Sequence, residues 1–492
     1  MVNFIYSNLL MITALMPLLS ALFLLVIPSR KEFLCWIITL IGTIFTFFFS
    51  LLLLILFNTS ITTFQFIFTF FLMSFTNLYY TVGIDGISLY FILLTTFLCV
   101  ICVLLSWNSI KFMLKEYLIC FLMIEFFLIQ VFIVLDIFLF YIFFESVLIP
   151  MFCIIGIWGS RKRKISASYQ FFLYTLIGSL FMLLGLISIY IQLGSTDLQF
   201  IWTNSYLLKF PYILWFSFFI SLAIKIPIVP VHTWLPEAHA EAPTSGSVIL
   251  AGILLKLGSY GFLRILLPIF PEASIYFAPF ILVLSLLNII YASLVTLRQI
   301  DLKKIIAYSS IAHMGFVTAG IFTFNLKGLE GSIFLMIGHG LVSSGLFICI
   351  GILYDRYLTR IVKYYGGLTQ VMPIFSFFLF IFLLANMGFP GTCNFIGEFL
   401  ILLSLINQNK IVALFALGGI FLSGAYSLWF FNKVMFGILK TKFFVKFQDL
   451  SRREFYILCI FSFLIFVLGL YPIFILNNLH LSVNYLLQLM IK

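Results

Sequence analysis

The sequence predicts an all-α polytopic membrane protein of about 14 transmembrane helices, with two inverted five-helix repeats. Three observations carry that prediction. The 492 residues are 64% hydrophobic and only 9% charged, whereas a soluble domain carries about 25% charged residues. The apolar runs continue for about 20 residues, without the alternation of a membrane β-strand. Two runs are interrupted midway by proline and glycine, at "KIPIVP" and at "MGFPG".

Apolar runs and polar breaks place the spans at about residues 16, 45, 97, 126, 147, 181, 222, 255, 285, 314, 341, 388, 424 and 466. The run from Tyr117 to Trp158 is too long for one crossing and divides near Asp136, a span-edge residue expected to be solvated. Residues 1–116 then hold spans 1–3, and 117–267 form a first repeat of spans 4–8. Residues 268–440 form a second repeat of spans 9–13, and 441–492 a loop and the last span. Each repeat carries its broken helix fourth, at spans 7 and 12. Five is odd, so successive repeats are inverted across the membrane, a transporter pattern. The N-terminus runs directly into an apolar segment too long for a signal-peptide core, so insertion is expected to begin with the first span.

The net charge of +11 is explained by topology. Twenty of the 27 lysines and arginines fall in the loops after spans 1, 3, 5, 9, 11 and 13, including Arg161 to Lys164 and the group Lys433, Lys440, Lys442, Lys446, Arg452 and Arg453. The opposite side holds Lys209, Arg264, Lys327, Lys410 and Lys492. The positive-inside rule places the rich loops inside and both termini outside. No nucleic-acid partner is needed to account for the charge. The eight cysteines are scattered. Cys99 and Cys102 form a C-x-x-C inside an apolar span with no second pair, which reads as helix packing before metal or redox chemistry.

Ionisable groups inside spans are costly and usually face a bundle interior. Glu145 lies in "LFYIFFESVLIP", Lys225 ends an uncharged run just before Pro227 and Pro230, and Lys256 lies in "SVILAGILLKLGSYGF". Prolines remove backbone donors and break the helix. Such a break at membrane depth lines a wet cavity or is covered by protein. Lys225 at a break is suited to load and release a proton as a carboxylate partner moves. A structural ion pair with Glu145 is the bland alternative. Glu398 follows Gly388, Pro390 and Gly391 in the second interrupted span. His232, His313 and His339 are relay candidates, although lone histidines are more often simply hydrogen-bonded. His239 is a weaker candidate. Glu125 pairs with a neighbouring helix or faces another subunit. Glu237 and Glu241 are expected at the surface, in capping or inter-subunit contacts. Pro243 opens the eighth span.

These residues carry a resemblance. "FFESVLIPM", "KIPIVPVHTWLPEAHAEAPTSGSVILAGILLKLGSYGF", "TLRQIDLKKIIAYSSIAHM", "GHGLVSSGLF", "GILYDRY", "YYGGL" and "GEFLIL" resemble the antiporter-like subunits of mitochondrial NADH:ubiquinone oxidoreductase, respiratory complex I. That family is related to Mrp-type cation/proton antiporter subunits. The stretches run from about residue 85 to 430. The resemblance implies fourteen helices with helices 7 and 12 broken. It also implies proton translocation through Glu145, Lys225, Lys256 and Glu398, with His232, His313 and His339 along a hydrated axis. It assigns no cofactor to this chain. NADH, FMN, iron–sulfur clusters and ubiquinone are expected in other subunits. Partners are other membrane-arm subunits, notably the subunit 2 and 5 homologues, and membrane lipids. The compartment implied is the mitochondrial inner membrane, with a bacterial plasma membrane as the fallback. A stand-alone Mrp-type antiporter subunit is the rival function. A spacer whose buried charges only lock helices is the rival structural reading.

Overall fold

A chain in hydrocarbon must satisfy every backbone N–H and C=O internally, so long apolar runs become helices. The computed structural model describes residues 2–73, 78–440 and 447–491. Lys442, Lys446 and Lys492 of the charge pattern lie outside the described residues. Helices α1 (Val2–Val26) and α2 (Glu32–Leu56) are followed by an antiparallel hairpin, β1 (Gln65–Met73) with β2 (Leu78–Ile84). Then come α3 (Gly86–Ser106), α4 (Leu114–Ile133), α5 (Ile137–Trp158) and α6 (Lys164–Leu193). The first interrupted run gives α7 (Pro211–Lys225) and α8 (Trp234–Glu241), and α9 covers Thr244–Ile269. Next are α10 (Pro271–Arg298), α11 (Leu302–Ile321) and α12 (Leu326–Tyr357). The second interrupted run gives α13 (Pro373–Asn386) and α14 (Cys393–Gln408), before α15 (Lys410–Met435), α16 (Arg452–Leu470) and α17 (Ile473–Ile491).

Among the described residues, 11 helices are long and apolar enough to cross a membrane. The pieces of the interrupted runs, α7, α13 and α14, are apolar but shorter. The hairpin after α2 was not expected. Its alternating register, such as Phe68 opposite Val82 and Phe70 opposite Tyr80, falls in a stretch rich in aromatic strand formers.

Local chemistry sets the helix ends. Asp85 and Ser88 form a reciprocal capping box at α3, as Ser451 and Glu454 do at α16. Pro211 and Pro373 occupy first helical positions, where the missing N–H costs nothing. Pro243 stands at the N-cap of α9. Asp136 departs from its expected solvated role. It is buried and caps α5 by accepting from the N–H groups of Phe138 and Leu139 at 2.8 and 3.1 Å. Thr196 donates to its other oxygen at 2.5 Å. Burial pushes its carboxyl up to about 6, against the lowering effect of those hydrogen bonds.

The chain divides into two compact units, Met1–Ile226 with Lys256–Phe277 and Asn477–Lys492, and Pro227–Leu255 with Ala278–Leu476. In the first unit α6 packs along α7. The end of α7 meets α9 at Gly258, where an added Cβ would lie 2.6 Å from Ile226 Cγ1 and 2.8 Å from the Leu222 carbonyl. Glycine therefore lets the backbones that carry Lys225 and Lys256 approach. In the second unit α12 is buried along its membrane-length stretch and packs chiefly on α14 and α11.

Gly258→Val places branched carbons in that contact. The expected cost is about 1–3 kcal/mol from overpacking, read as a lower thermal midpoint of the purified protein.

Candidate proton-transfer site

In the first unit, α5 is not a uniform helix. Its two α-helical segments meet at Val147, and Pro150 removes an intrahelical donor and crowds the carbonyl four residues earlier. Glu145 stands at this irregularity, half-buried. Its Oε1 has no hydrogen bond among the described residues. The Phe144 carbonyl next to it accepts from Lys225 Nζ at 3.3 Å, and the ammonium lies 4.1 Å from the Phe144 ring centre. Lys225 is the last residue of α7 and is 3% exposed. Its position there is favourable, because a helix C-terminus presents free carbonyls and negative partial charge to a cation. The structure thus brings Lys225 to the turn that carries Glu145. No Glu145–Lys225 ion pair is closed within 4.0 Å among the described residues.

Lys256 is fully buried in α9, between π-helical turns at Leu250–Leu254 and Phe262–Leu266. Such turns leave carbonyls out of register and often mark functional positions.

The second unit holds the other group. His313 on α11 lies between the halves of the second interrupted run. Its Nδ1 is 3.1 Å from Glu398 Oε1 on α14, and its Nε2 is 3.1 Å from Asn386 Oδ1 at the end of α13. Asn386 Nδ2 reaches the Tyr426 hydroxyl on α15 at 3.4 Å. The His339 ring on α12 is 5.5 Å from that of His313. Gly388 turns the chain with φ of +72°, and a Cβ there would lie 2.5 Å from Glu398 Oε2. The break therefore needs glycine both for its conformation and for room beside the carboxylate. Glu398, His313 and His339 form one buried polar cluster of groups able to exchange a proton over short distances. His232 is placed elsewhere, against the rings of Tyr291 and Tyr308 at 5.6 and 6.2 Å. His239 stacks on Phe347 at 4.6 Å. Glu125 is buried and accepts from Thr46 on α2 at 2.6 Å, a tie between neighbouring helices.

Sequence reasoning missed two buried charge clusters. Arg264, counted among the loop charges, is buried in α9 and pairs with Asp85 at 2.6 Å. Its Nε also donates to the Tyr260 hydroxyl at 3.2 Å. Glu241, expected at the surface, is 3% exposed and pairs with the buried Arg360 at 3.1 Å. Lys303, also counted in a loop, is buried and donates to the Ala242 carbonyl at 2.7 Å. The partners are far apart in sequence, so no local pattern signals them.

The family described as NADH:quinone oxidoreductase/Mrp antiporter, TM, matches residues 135–423. NADH-ubiquinone oxidoreductase chain 4 of Chondrus crispus is 62% identical, with 98% of each chain covered. A chain of respiratory complex I from Thermus thermophilus superposes with a TM-score of 0.89 at 26% identity, covering 98% of this chain and 99% of that one. A chain of the Mrp complex from Dietzia sp. DQ12-45-1b has the same fold, with a TM-score of 0.87 at 17% identity and 99% of each chain covered.

Removing one member of the Asp85–Arg264 pair strands a buried charge. Arg264→Gln is expected to cost about 3–5 kcal/mol, and Asp85→Asn with Arg264→Gln to recover much of that loss. Thermal unfolding of the single and double variants measures the difference.

Proposed function

We propose that this chain, which belongs to the NADH:quinone oxidoreductase/Mrp antiporter transmembrane family, is an antiporter-like, proton-translocating membrane subunit of respiratory complex I, of the chain 4 type. Electron transfer from NADH to ubiquinone runs in other subunits, which hold the NADH site, FMN, iron–sulfur clusters and ubiquinone. The complex lies in the mitochondrial inner membrane, and this chain is multi-pass within it. The neighbours in the membrane arm are the subunit 2 and subunit 5 homologues, with lipids on the remaining faces. The full architecture in this reading is fourteen crossings. Spans 4–8 and 9–13 form two inverted repeats over residues 117–267 and 268–440, flanked by 1–116 and 441–492. Spans 7 and 12 are broken.

The observation that carries the reading is Lys225, a buried ammonium at the broken end of α7, beside the turn of Glu145. A change in a neighbouring subunit's charge alters the attraction between Glu145 and Lys225. Lys225 then releases its proton toward Lys256, and onward to the cluster of Glu398, His313 and His339. His232 serves the same axis. Moving one charge against 100 mV costs about 2.3 kcal/mol, so the drive comes from the redox reaction of the complex. A stand-alone Mrp-type cation/proton antiporter would share the fold and these residues. The name and 62% identity of the Chondrus relative over 98% of both chains favour the complex I reading.

The test is Lys225→Ala in complex reconstituted into vesicles, with assembly checked first. NADH-driven quinone reduction and proton uptake are expected to fall together by at least about tenfold. Unchanged rates in an assembled complex would make Lys225 a packing residue.

A further inference from the structure

The second unit contains a charged cluster that the proton path above does not use. Glu237 and Glu241 lie one turn apart on α8, on the same helix face. Helix α8 packs on α11. Glu237 pairs with Lys304 near the surface. One turn on, Glu241 Oε1 accepts from Arg360 Nη2 at 3.1 Å, and Arg360 Nε is 3.8 Å from Asp301 Oδ1. Lys303 binds the Ala242 carbonyl, which fixes the backbone next to Glu241. Side-chain exposure falls from 35% at Glu237 to 20% at Asp301, then to 4% at Glu241 and 0% at Arg360. The cluster is therefore graded from the surface inward. It belongs to the loops whose positive charge places them inside.

A buried ion pair that serves stability alone must satisfy its remaining donors and acceptors to offset desolvation. This one does not. Glu241 Oε2, Asp301 Oδ1, Arg360 Nε and Arg360 Nη1 make no hydrogen bond among the described residues. Buried polar atoms of this kind are ordinarily satisfied by ordered water. The arrangement is a carboxylate with one oxygen held by a guanidinium and the other free to take a proton.

We propose that Glu241 is the proton-accepting carboxylate at the inside mouth of the second unit, positioned by Arg360. This rests on the proton-translocating reading above. Water on the exposed side delivers a proton to Glu241 Oε2. The neutral acid weakens its hold on Arg360, whose guanidinium then leans on Asp301. The proton leaves Oε2 for water on the inner side, the carboxylate re-forms, and Arg360 returns to it. One proton is taken up and one is released. Arg360 never deprotonates.

The test uses the assembled complex in vesicles with Glu241→Gln, Glu241→Asp and the double variant Glu241→Gln with Arg360→Gln. The double variant removes both charges, so it relieves the unpaired arginine that the single variant strands. Expected are losses of at least about fivefold in quinone reduction and proton uptake for Glu241→Gln and for the double variant, with most activity kept in Glu241→Asp. Wild-type pumping by an assembled Glu241→Gln, or by the double variant, makes the pair purely structural and overturns the proposal. So does loss of assembly in both. Lys225→Ala is measured beside them. Loss in Lys225→Ala without loss in Glu241→Gln sinks this inference alone, and no loss in Lys225→Ala sinks the reading beneath it.

Discussion

An ammonium group at membrane depth costs about 2.5–3.5 kcal/mol on insertion scales, and the rest of the structure depends on how that cost is met at Lys225. The side chain is almost fully buried, so bulk water does not solvate it directly. Its contacts are the carbonyl and the ring of Phe144 on α5, three residues before the irregularity at Val147, and it stands at the C-terminal end of α7. Had α7 continued past residue 225, its last carbonyls would be spent on the helix itself. Pro227 and Pro230 prevent that. The end of α7 and the Phe144 turn of α5 together give the cation its surroundings.

The second break solves the same problem for the opposite charge. Glu398 is 3% exposed, and it faces a histidine, 3.1 Å away, that also contacts the other half of the broken run. His313 thus joins α13, α14 and its own helix through one ring. A histidine can give or take a proton at either nitrogen, and its two contacts here lead to a carboxylate and to an amide backed by Tyr426. The two breaks differ in detail. Lysine precedes its prolines, whereas the glutamate follows its glycine and proline. Lys225 ends the helix before its break, and Glu398 is buried in α14, the helix that follows the second break.

Much of this was legible in the sequence. Lys225 with its two prolines, and Glu398 with Gly388 and Pro390, announce themselves by composition, because charge and helix breakers are rare in such runs. The helical class followed from the length of the apolar stretches. Other features were hidden for a physical reason. Arg264 pairs with a residue 179 positions away and Arg360 with one 119 positions away. A charge near the end of an apolar run looks solvated until its distant partner is known. Hydropathy placed no span between about residues 45 and 97 and said nothing of the strands Gln65–Met73 and Leu78–Ile84, which stand outside the helices. Asp136 misled in the same way, since a residue at a helix start can be buried and still fully engaged as a cap.

In the proposed mechanism Lys225 acts by releasing a proton and not merely by carrying a charge. Arginine keeps the positive charge but cannot be deprotonated in a protein. The direct measurement is proton uptake per NADH oxidised by vesicle-reconstituted complex carrying Lys225→Arg, after assembly has been verified. The expected result is an assembled complex with coupled quinone reduction and proton uptake both lost. Proton uptake at the wild-type rate would contradict it, and would make Lys225 a fixed charge in a helix junction.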